Sequence, residues 1–283
     1  MIALWGKVIR PLVEAVGGTR ILEIGAEYGV STGALLNYVR QVDGHLHCID
    51  PVPGFDVDEF VAQHGGLLSF YADLSLNAIP QIPEVDVALV DGDHNWYTVY
   101  NELKLIEASH GHDPDKLPLI FVHDIGWPYG RRDLYYDPST IPEEFQQPYA
   151  RRGMGPAKKE LLPEGGLNVD LCNAIMEGGE RNGVLTGVED YIKESKLELE
   201  FLNLPLYFGL GVIVSKSRIR SNPALAAEVE KLHELLKGEK LITITEKLRM
   251  GLAVGLQKLE GKLEESQARV QELERELAQL RGG

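Results

Sequence analysis

Two short segments gather side chains that can do chemistry. Val85-Asp-Val-Ala-Leu-Val-Asp-Gly-Asp-His-Asn-Trp96 follows an apolar run with Asp91, Asp93 and His94 inside four positions. A second apolar run, Leu117 to Val122, ends on His123-Asp124. Close-set carboxylates repel one another, so such a cluster needs solvent, a cation or a substrate to offset it. Carboxylates with imidazole suit a divalent cation: oxygen donors favour Mg²⁺ or Ca²⁺, and imidazole tilts toward Mn²⁺, Fe²⁺ or Zn²⁺. The same residues also allow a metal-free site, in which His94 or His123 is a general base poised near neutral pH.

A third segment is built for a different ligand. The apolar run Ile21 to Ile24 stops at Gly25 and Gly29, and a helical pattern follows at Ala34, Leu35, Leu36, Tyr38 and Val39. A buried strand, a tight turn and a helix start form the usual place for a nucleotide-like ligand in an open α/β sheet. A further apolar run, Leu46 to Ile49, ends on Asp50, where a carboxylate can accept both hydroxyls of a ribose. The glycine spacing is not G-x-G-x-x-G, and no Lys-Ser/Thr of a P-loop follows, which favours a ligand with a ribose but no phosphate. Glu23 lies between Leu22 and Ile24, where an unpaired carboxylate is costly. Ser31 and Thr32 either cap the next helix or touch the ligand.

The elements that must position these groups alternate. Strands are predicted over 20–25, 45–50, 67–71, 86–91 and 117–122, with helices over 31–41, 57–64 and 96–108 between them. Strands separated by short helices imply parallel βαβ units. From 126 to about 187 the periodicity fails amid six prolines, so this stretch reads as a substrate lid or insert. Its aromatics (Trp127, Tyr129, Tyr135, Tyr136) and its Arg131, Arg132, Arg151 and Arg152 fit a hydroxyl-rich or anionic substrate, or equally a lid packed by its own rings and ion pairs. Pattern resumes with a helix over 184–195 and strands over 197–202 and 206–214, an antiparallel hairpin at the sheet edge. The fold class is α/β: a Rossmann-like doubly wound sheet, mostly parallel, with an antiparallel edge hairpin and a C-terminal coiled-coil helix.

The tail differs from the rest. Leu252, Leu256, Leu259, Leu263, Val270, Leu273, Leu277 and Leu280 recur in steps of four and three, with Ser266 at one seam position and charges around them. That heptad pattern predicts a coiled coil over 245–283, joined by a helical connector over 221–244 to a domain over 1–220. A homo-oligomer through this tail is expected. The net charge of −15 argues against a nucleic-acid partner and an anionic membrane surface. Cys48 and Cys172 form no disulfide framework or zinc spacing. Met1 to Val16 reads as an amphipathic helix, and no run approaches membrane-spanning length, so a cytoplasmic protein is expected.

The strand–glycine–helix segment with Asp50 resembles the first half of a class I S-adenosylmethionine-dependent methyltransferase. The resemblance covers roughly residues 1–125 and 184–216. It implies S-adenosyl-L-methionine as cofactor, with Glu23, Gly25, Gly29 and Ser31 around the methionine portion, Asp50 on the ribose, Asp73 near the adenine and Asp91 also beside the cofactor. For Asp73 a surface turn serves as well. The second cluster resembles metal-dependent O-methyltransferases and a bacterial group that includes cephalosporin-hydroxylase-like proteins. By position, Asp91, His123 and Asp124 then hold a divalent metal, Mg²⁺ or Mn²⁺, with Asp93 or His94 as base. His123 departs from the pattern, where an aspartate is expected, and this leaves the metal's identity open. The implied reaction is methyl transfer to a hydroxyl of a saccharide or glycosylated metabolite. A metal-dependent hydroxylase on the same scaffold, and a non-catalytic coiled-coil assembly protein, are the alternatives.

Overall fold

The structure, a computed structural model, describes residues 1–156 and 158–281. In the last helix the described side chains exclude positions 239–241, 258, 260, 264, 265, 268, 272–274 and 276–281. The N-terminal segment forms α1 (Ile2–Leu4), a π-helical turn (Trp5–Ile9) and α2 (Arg10–Ala15), where the sequence pattern suggested one helix. Pro11 has no N–H to offer the preceding turn, and the ladder widens there, with the Arg10 N–H bonded to the Trp5 carbonyl.

The alternating units follow: β1 (Arg20–Ile24), α3 (Val30–Gln41), β2 (His45–Ile49), α4 (Val57–His64), β3 (Leu68–Tyr71), α5 (Ser75–Ala78), β4 (Val87–Val90), α6 (Trp96–Ser109) and β5 (Leu119–His123). The insert contributes β6 (Leu134–Tyr135), β7 (Tyr149–Arg151) and β8 (Cys172–Ala174). After it come α7 (Val184–Glu194), β9 (Leu199–Leu204), β10 (Leu210–Ser215), α8 (Lys216–Ser221), α9 (Pro223–Leu236) and α10 (Glu239–Arg281). The main sheet runs β3-β2-β1-β4-β5-β10-β9. β1 to β5 pair in parallel, and β10 is antiparallel to both its neighbours, the edge hairpin the sequence anticipates.

Register matters more than order for the site. Ile24 pairs with Ile49 on one side and Val90 on the other, and Val90 pairs with Val122. Gly25, Asp50, Asp91 and His123 therefore emerge at one level of the carboxyl edge, the ligand-binding rim of an open α/β sheet. β4 is buried along its whole length, as a central parallel strand covered on both faces must be. One face carries α2, α3 and α9, which bury Leu12, Val13, Leu35, Val39, Leu225, Val229 and Leu232. The other carries α5, α6 and α7, with Ala78, Val99, Leu103, Ile106, Val184 and Val188. Residues 223–236 thus complete the core of the domain, where the sequence pattern suggested a connector.

The insert has its own small antiparallel sheet, β6-β8-β7. Strands of two or three residues are too short to show alternation, which is why the pattern was lost there. Asp133, fully buried, ties this sheet to the main domain. Its Oδ1 accepts the Trp96 and Gly183 N–H groups at 2.8 and 2.6 Å, and its Oδ2 accepts the Tyr135 hydroxyl at 2.7 Å. Burial pushes the Asp133 carboxyl up to about 6.

α10 is 43 residues long, about 64 Å at 1.5 Å per residue. Its first turns pack on the domain and bury Met250. Beyond them, Leu252, Leu256, Leu259, Leu263 and Val270 are between 54% and 76% exposed, an apolar seam facing solvent. Leu273, Leu277 and Leu280, also placed in the seam by the heptads, lie outside the described side chains. Among the described residues, no helix is long and apolar enough to cross a membrane.

Candidate active site at the carboxyl edge of the sheet

Asp50 follows β2, with its carboxylate turned back on the neighbouring loop. Oδ2 accepts the Ala26 and Glu27 N–H groups at 2.9 and 2.8 Å, and Oδ1 accepts the Val52 N–H at 2.8 Å. Two carboxylate oxygens offer about four lone-pair directions. Oδ1 therefore retains room for one further donor, not for a pair of ribose hydroxyls on free oxygens. The loop it holds is shaped by glycine. Gly29, left-handed at φ 76°, is the N-cap of α3, so Ser31 and Thr32 lie inside the first helical turn and cap nothing. Gly25 has φ 93°, and a Cβ there would stand 2.3 Å from the Asp91 carbonyl oxygen. Only glycine permits this loop to sit on the end of β4.

Glu23 is buried in β1, and the Cys48 thiol donates to its Oε2 at 3.4 Å. Burial lifts its carboxyl to about 7, against the opposing pull of Thr32 and Cys48. Asp73 is exposed, and its Oδ1 accepts from the Leu74 N–H and the Asn77 side chain, the surface-turn alternative of the sequence reading. Ser31 lines a small apolar recess with Met1, Ile2, Trp5 and Leu89.

The β4 and β5 ends converge. His123 Nδ1 lies 3.0 Å from Asp91 Oδ1 and 2.9 Å from Asp124 Oδ2, and His94 Nε2 lies 2.7 Å from that same Asp124 oxygen. Asp91 Oδ2 also receives the Met1 nitrogen at 3.0 Å. The ligand atoms of Asp91, His123 and Asp124 all fall within 4.8 Å of one another, the spacing of a set that can close on one cation. Asp124 holds left-handed backbone at φ 57°, a conformation that needs support from its surroundings in a residue with a side chain.

Charge explains the cluster's state. Burial alone would lower the His123 pKa, but hydrogen bonds and charge from Asp124 and Asp91 carry it up to about 10. Burial would raise Asp124, but the charge on His94 and hydrogen bonds from both imidazoles hold it well below the usual carboxylate range. His94 is likewise pushed up, its burial outweighed chiefly by Asp124. An imidazole held this firmly in its charged form cannot accept a proton near neutral pH, so His123 does not fit the general-base role. Asp93 stands apart from the cluster, raised by burial, with the Thr98 hydroxyl donating to it at 3.1 Å.

Tyr129 and Tyr136, two of the insert's aromatics, flank His94 with ring centroids at 5.4 and 5.8 Å, and the Tyr136 hydroxyl is 3.4 Å from His94 Nδ1. Two further neighbours were not singled out by the sequence. Phe208 lies edge-on to His123 at 6.3 Å. Glu102 on α6 is fully buried, and burial carries it to about 8, moderated by the Ser75 hydroxyl and the His94 charge. The spacing Val99, Leu103, Ile106 places position 102 on the buried face of α6, a signal that could have found it.

Three of the four insert arginines resolve in favour of structure. Arg131 pairs with Glu189 through two contacts of 2.6 Å. Arg132 is fully buried, donating to the Lys159 carbonyl at 2.7 Å and to the Ala174 carbonyl. Arg152 donates to the Leu161 and Leu162 carbonyls. These three serve the insert's own architecture, not an open anion site.

Residues 22–114, from β1 to just beyond α6, match a family described as a methyltransferase domain. Among solved structures the chain is similar to the SAH-bound methyltransferase PaMTH1 of Podospora anserina, at 16% identity and a TM-score of 0.44, covering 73% of this chain and 76% of that one. It is also similar to 1,6-didemethyltoxoflavin-N1-methyltransferase of Burkholderia thailandensis, at 13% identity and a TM-score of 0.39, covering 75% and 80%. No curated protein matches the chain. The matched segment spans the glycine loop, Asp50 and the Asp91–His94 cluster: residues 22–114 are similar to a methyltransferase domain.

Proposed function

We propose that the protein transfers the methyl group of S-adenosylmethionine to a substrate hydroxyl, at a site where Asp91, His123 and Asp124 hold a divalent cation. One observation carries the proposal: two adjacent strand ends bring a carboxylate, an imidazole and a second carboxylate within 4.8 Å, next to the glycine loop. The donor set fits a divalent cation, because two carboxylates and one imidazole leave an excess of negative charge. When bound, S-adenosylmethionine supplies an electrophilic methyl group and the cation lowers the hydroxyl's pKa. The chain's own part is positioning. Asp50 accepts one ribose hydroxyl at Oδ1 while fixing the loop at Ala26 and Glu27. Glu23, Gly25, Gly29 and Ser31 surround the methionine portion. Asp124 orients both imidazoles, and Asp93 takes up the proton that the hydroxyl loses.

For the acceptor, a saccharide or glycosylated metabolite is the favoured class. Tyr129 and Tyr136 offer ring faces beside His94, and sugar faces stack on aromatic rings. The exposed seam from Leu252 to Val270 supports self-association of α10 with other copies of the chain.

The test is calorimetric titration of chelator-treated protein with S-adenosylhomocysteine, and separately with Mn²⁺. Binding of both, with Asp50→Ala losing S-adenosylhomocysteine and keeping Mn²⁺, is the expected result. Failure to bind S-adenosylhomocysteine would sink the reading, whatever the metal result.

A further inference from the structure

We infer that the root of α10 belongs to the reaction site: Glu246 and Arg249 are positioning residues that hold the Tyr207–Phe208 turn against His123. The inference rests on the reading of Asp91, His123 and Asp124 given above only where it reaches the metal.

The turn between β9 and β10 is unusual in its backbone. Tyr207, Phe208 and Gly209 are consecutively left-handed, with φ of 49°, 70° and 90°. Residues with side chains avoid this region unless the surroundings enforce it, and they concentrate where a fold holds a shape for use. The enforcement comes from α10. Glu246 Oε1 accepts the Phe208 N–H at 2.9 Å, and the Arg249 guanidinium lies over the Tyr207 and Phe208 rings, 5.2 and 4.7 Å from their centroids. Arg249 also donates twice to Glu246, at 2.8 and 2.7 Å, so the two side chains act as one clamp. The Glu246 side chain is only 13% exposed, which strengthens a charged acceptor.

On its other side the turn is pressed onto the site. The Phe208 carbonyl accepts the Gly126 N–H, and a Cβ at Gly126 would stand 2.5 Å from that carbonyl oxygen. Leu210 pairs with His123 across the β10–β5 ladder, and the Phe208 ring meets the His123 ring edge-on. Displacing the turn therefore moves the wall against which the His123 ring rests, three residues before Gly126. The same helix carries the exposed leucine seam, so association along α10 and geometry at His123 share one element.

A pair that merely anchored a helix would affect overall stability alone. A positioning pair must move the site, and the full-length chain can distinguish the two. Hydrogen exchange is read over 119–126, over 205–211 and over the glycine loop 20–30, in the parent, Glu246→Ala and Glu246→Gln. Glu246→Ala is expected to speed exchange in the first two segments and leave the third unchanged. It should also weaken Mn²⁺ about tenfold without changing S-adenosylhomocysteine affinity. Glu246→Gln keeps an oxygen to accept the Phe208 N–H and should restore most of the protection. Exchange that rises only over 205–211, or uniformly over all three segments, would overturn the inference. A parent that binds no Mn²⁺ yet shows the paired response at 119–126 and 205–211 would uphold the positioning role and fail the metal reading. If Glu246→Ala does not fold, Arg249→Lys, which keeps the charge but loses the planar stack, is read the same way.

Discussion

The two halves of the sheet's carboxyl edge neutralise their acids in opposite ways. At β1 and β2, Asp50 is held by three backbone N–H groups, fixed dipoles that belong to a loop of set shape. At β4 and β5, Asp91 and Asp124 are held by the imidazoles of His94 and His123. A backbone amide can be neither titrated nor displaced, so the first half is a rigid cradle. An imidazolium can give up its proton when a cation binds, so the second half can exchange charge. Rigidity is what holding a cofactor needs, and exchangeable charge is what activating a hydroxyl needs. Gly25 is the joint between them, because it lets the cradle loop lie on the Asp91 backbone.

Removing the shared carboxylate should break the comparison most sharply. Asp124→Asn keeps the shape and tolerates left-handed backbone, yet leaves His94 without its anion and His123 with Asp91 alone. Mn²⁺ affinity is expected to fall by about 100-fold, with S-adenosylhomocysteine binding intact, both read by calorimetry. Equal loss of both ligands would mean that the halves are not separable. Gly25→Ala attacks the joint instead. A methyl group 2.3 Å from the Asp91 carbonyl, on backbone at φ 93°, should cost about 3 kcal/mol and weaken both ligands together. Denaturant unfolding measures the first effect, and an unchanged midpoint would show that the joint is slack.

Glu102 sharpens the picture at smaller cost. Its folded pKa of about 8 lies above the ordinary 4.5. Below the ordinary value both folded and unfolded chains hold the proton, and stability is complete. As pH rises through about 8, the unfolded chain has released a proton that the folded chain keeps, so stability falls until the buried acid ionises. Glu102→Gln cannot ionise and should lose this slope, gaining on the parent by up to a few kcal/mol from acid to alkaline pH. Thermal unfolding across that range decides it. Parallel curves for the two proteins would show that burial does not hold the Glu102 proton.

Much of the site was legible because strand ends are local features. The run Ile21 to Ile24 broken by Gly25, and the acids closing the runs at Asp50, Asp91 and Asp124, needed no tertiary information. The insert was illegible for the converse reason. Arg132 and Asp133 look like surface charges in the sequence, yet both are fully buried, held by carbonyl and amide groups from positions 96, 159, 174 and 183. Phe208 and Glu246 lie far from His123 along the chain, and no periodicity marks either as a neighbour of the site.

Outside the insert, the sequence by itself determined the main strands and helices, where those strands stop, and which chemical groups stand at their ends. Apolar periodicity and glycine are properties of consecutive residues, and they act before any long-range contact forms. Only the tertiary structure decided that Asp91 faces His123, that Asp50 binds the neighbouring glycine loop, and that α10 is rooted beside the site. Those outcomes depend on which strands pair, in what register, and on which buried polar atoms then find partners. Neighbours in the sheet are chosen by burial and hydrogen bonding across the whole chain, and that choice is written in no single segment.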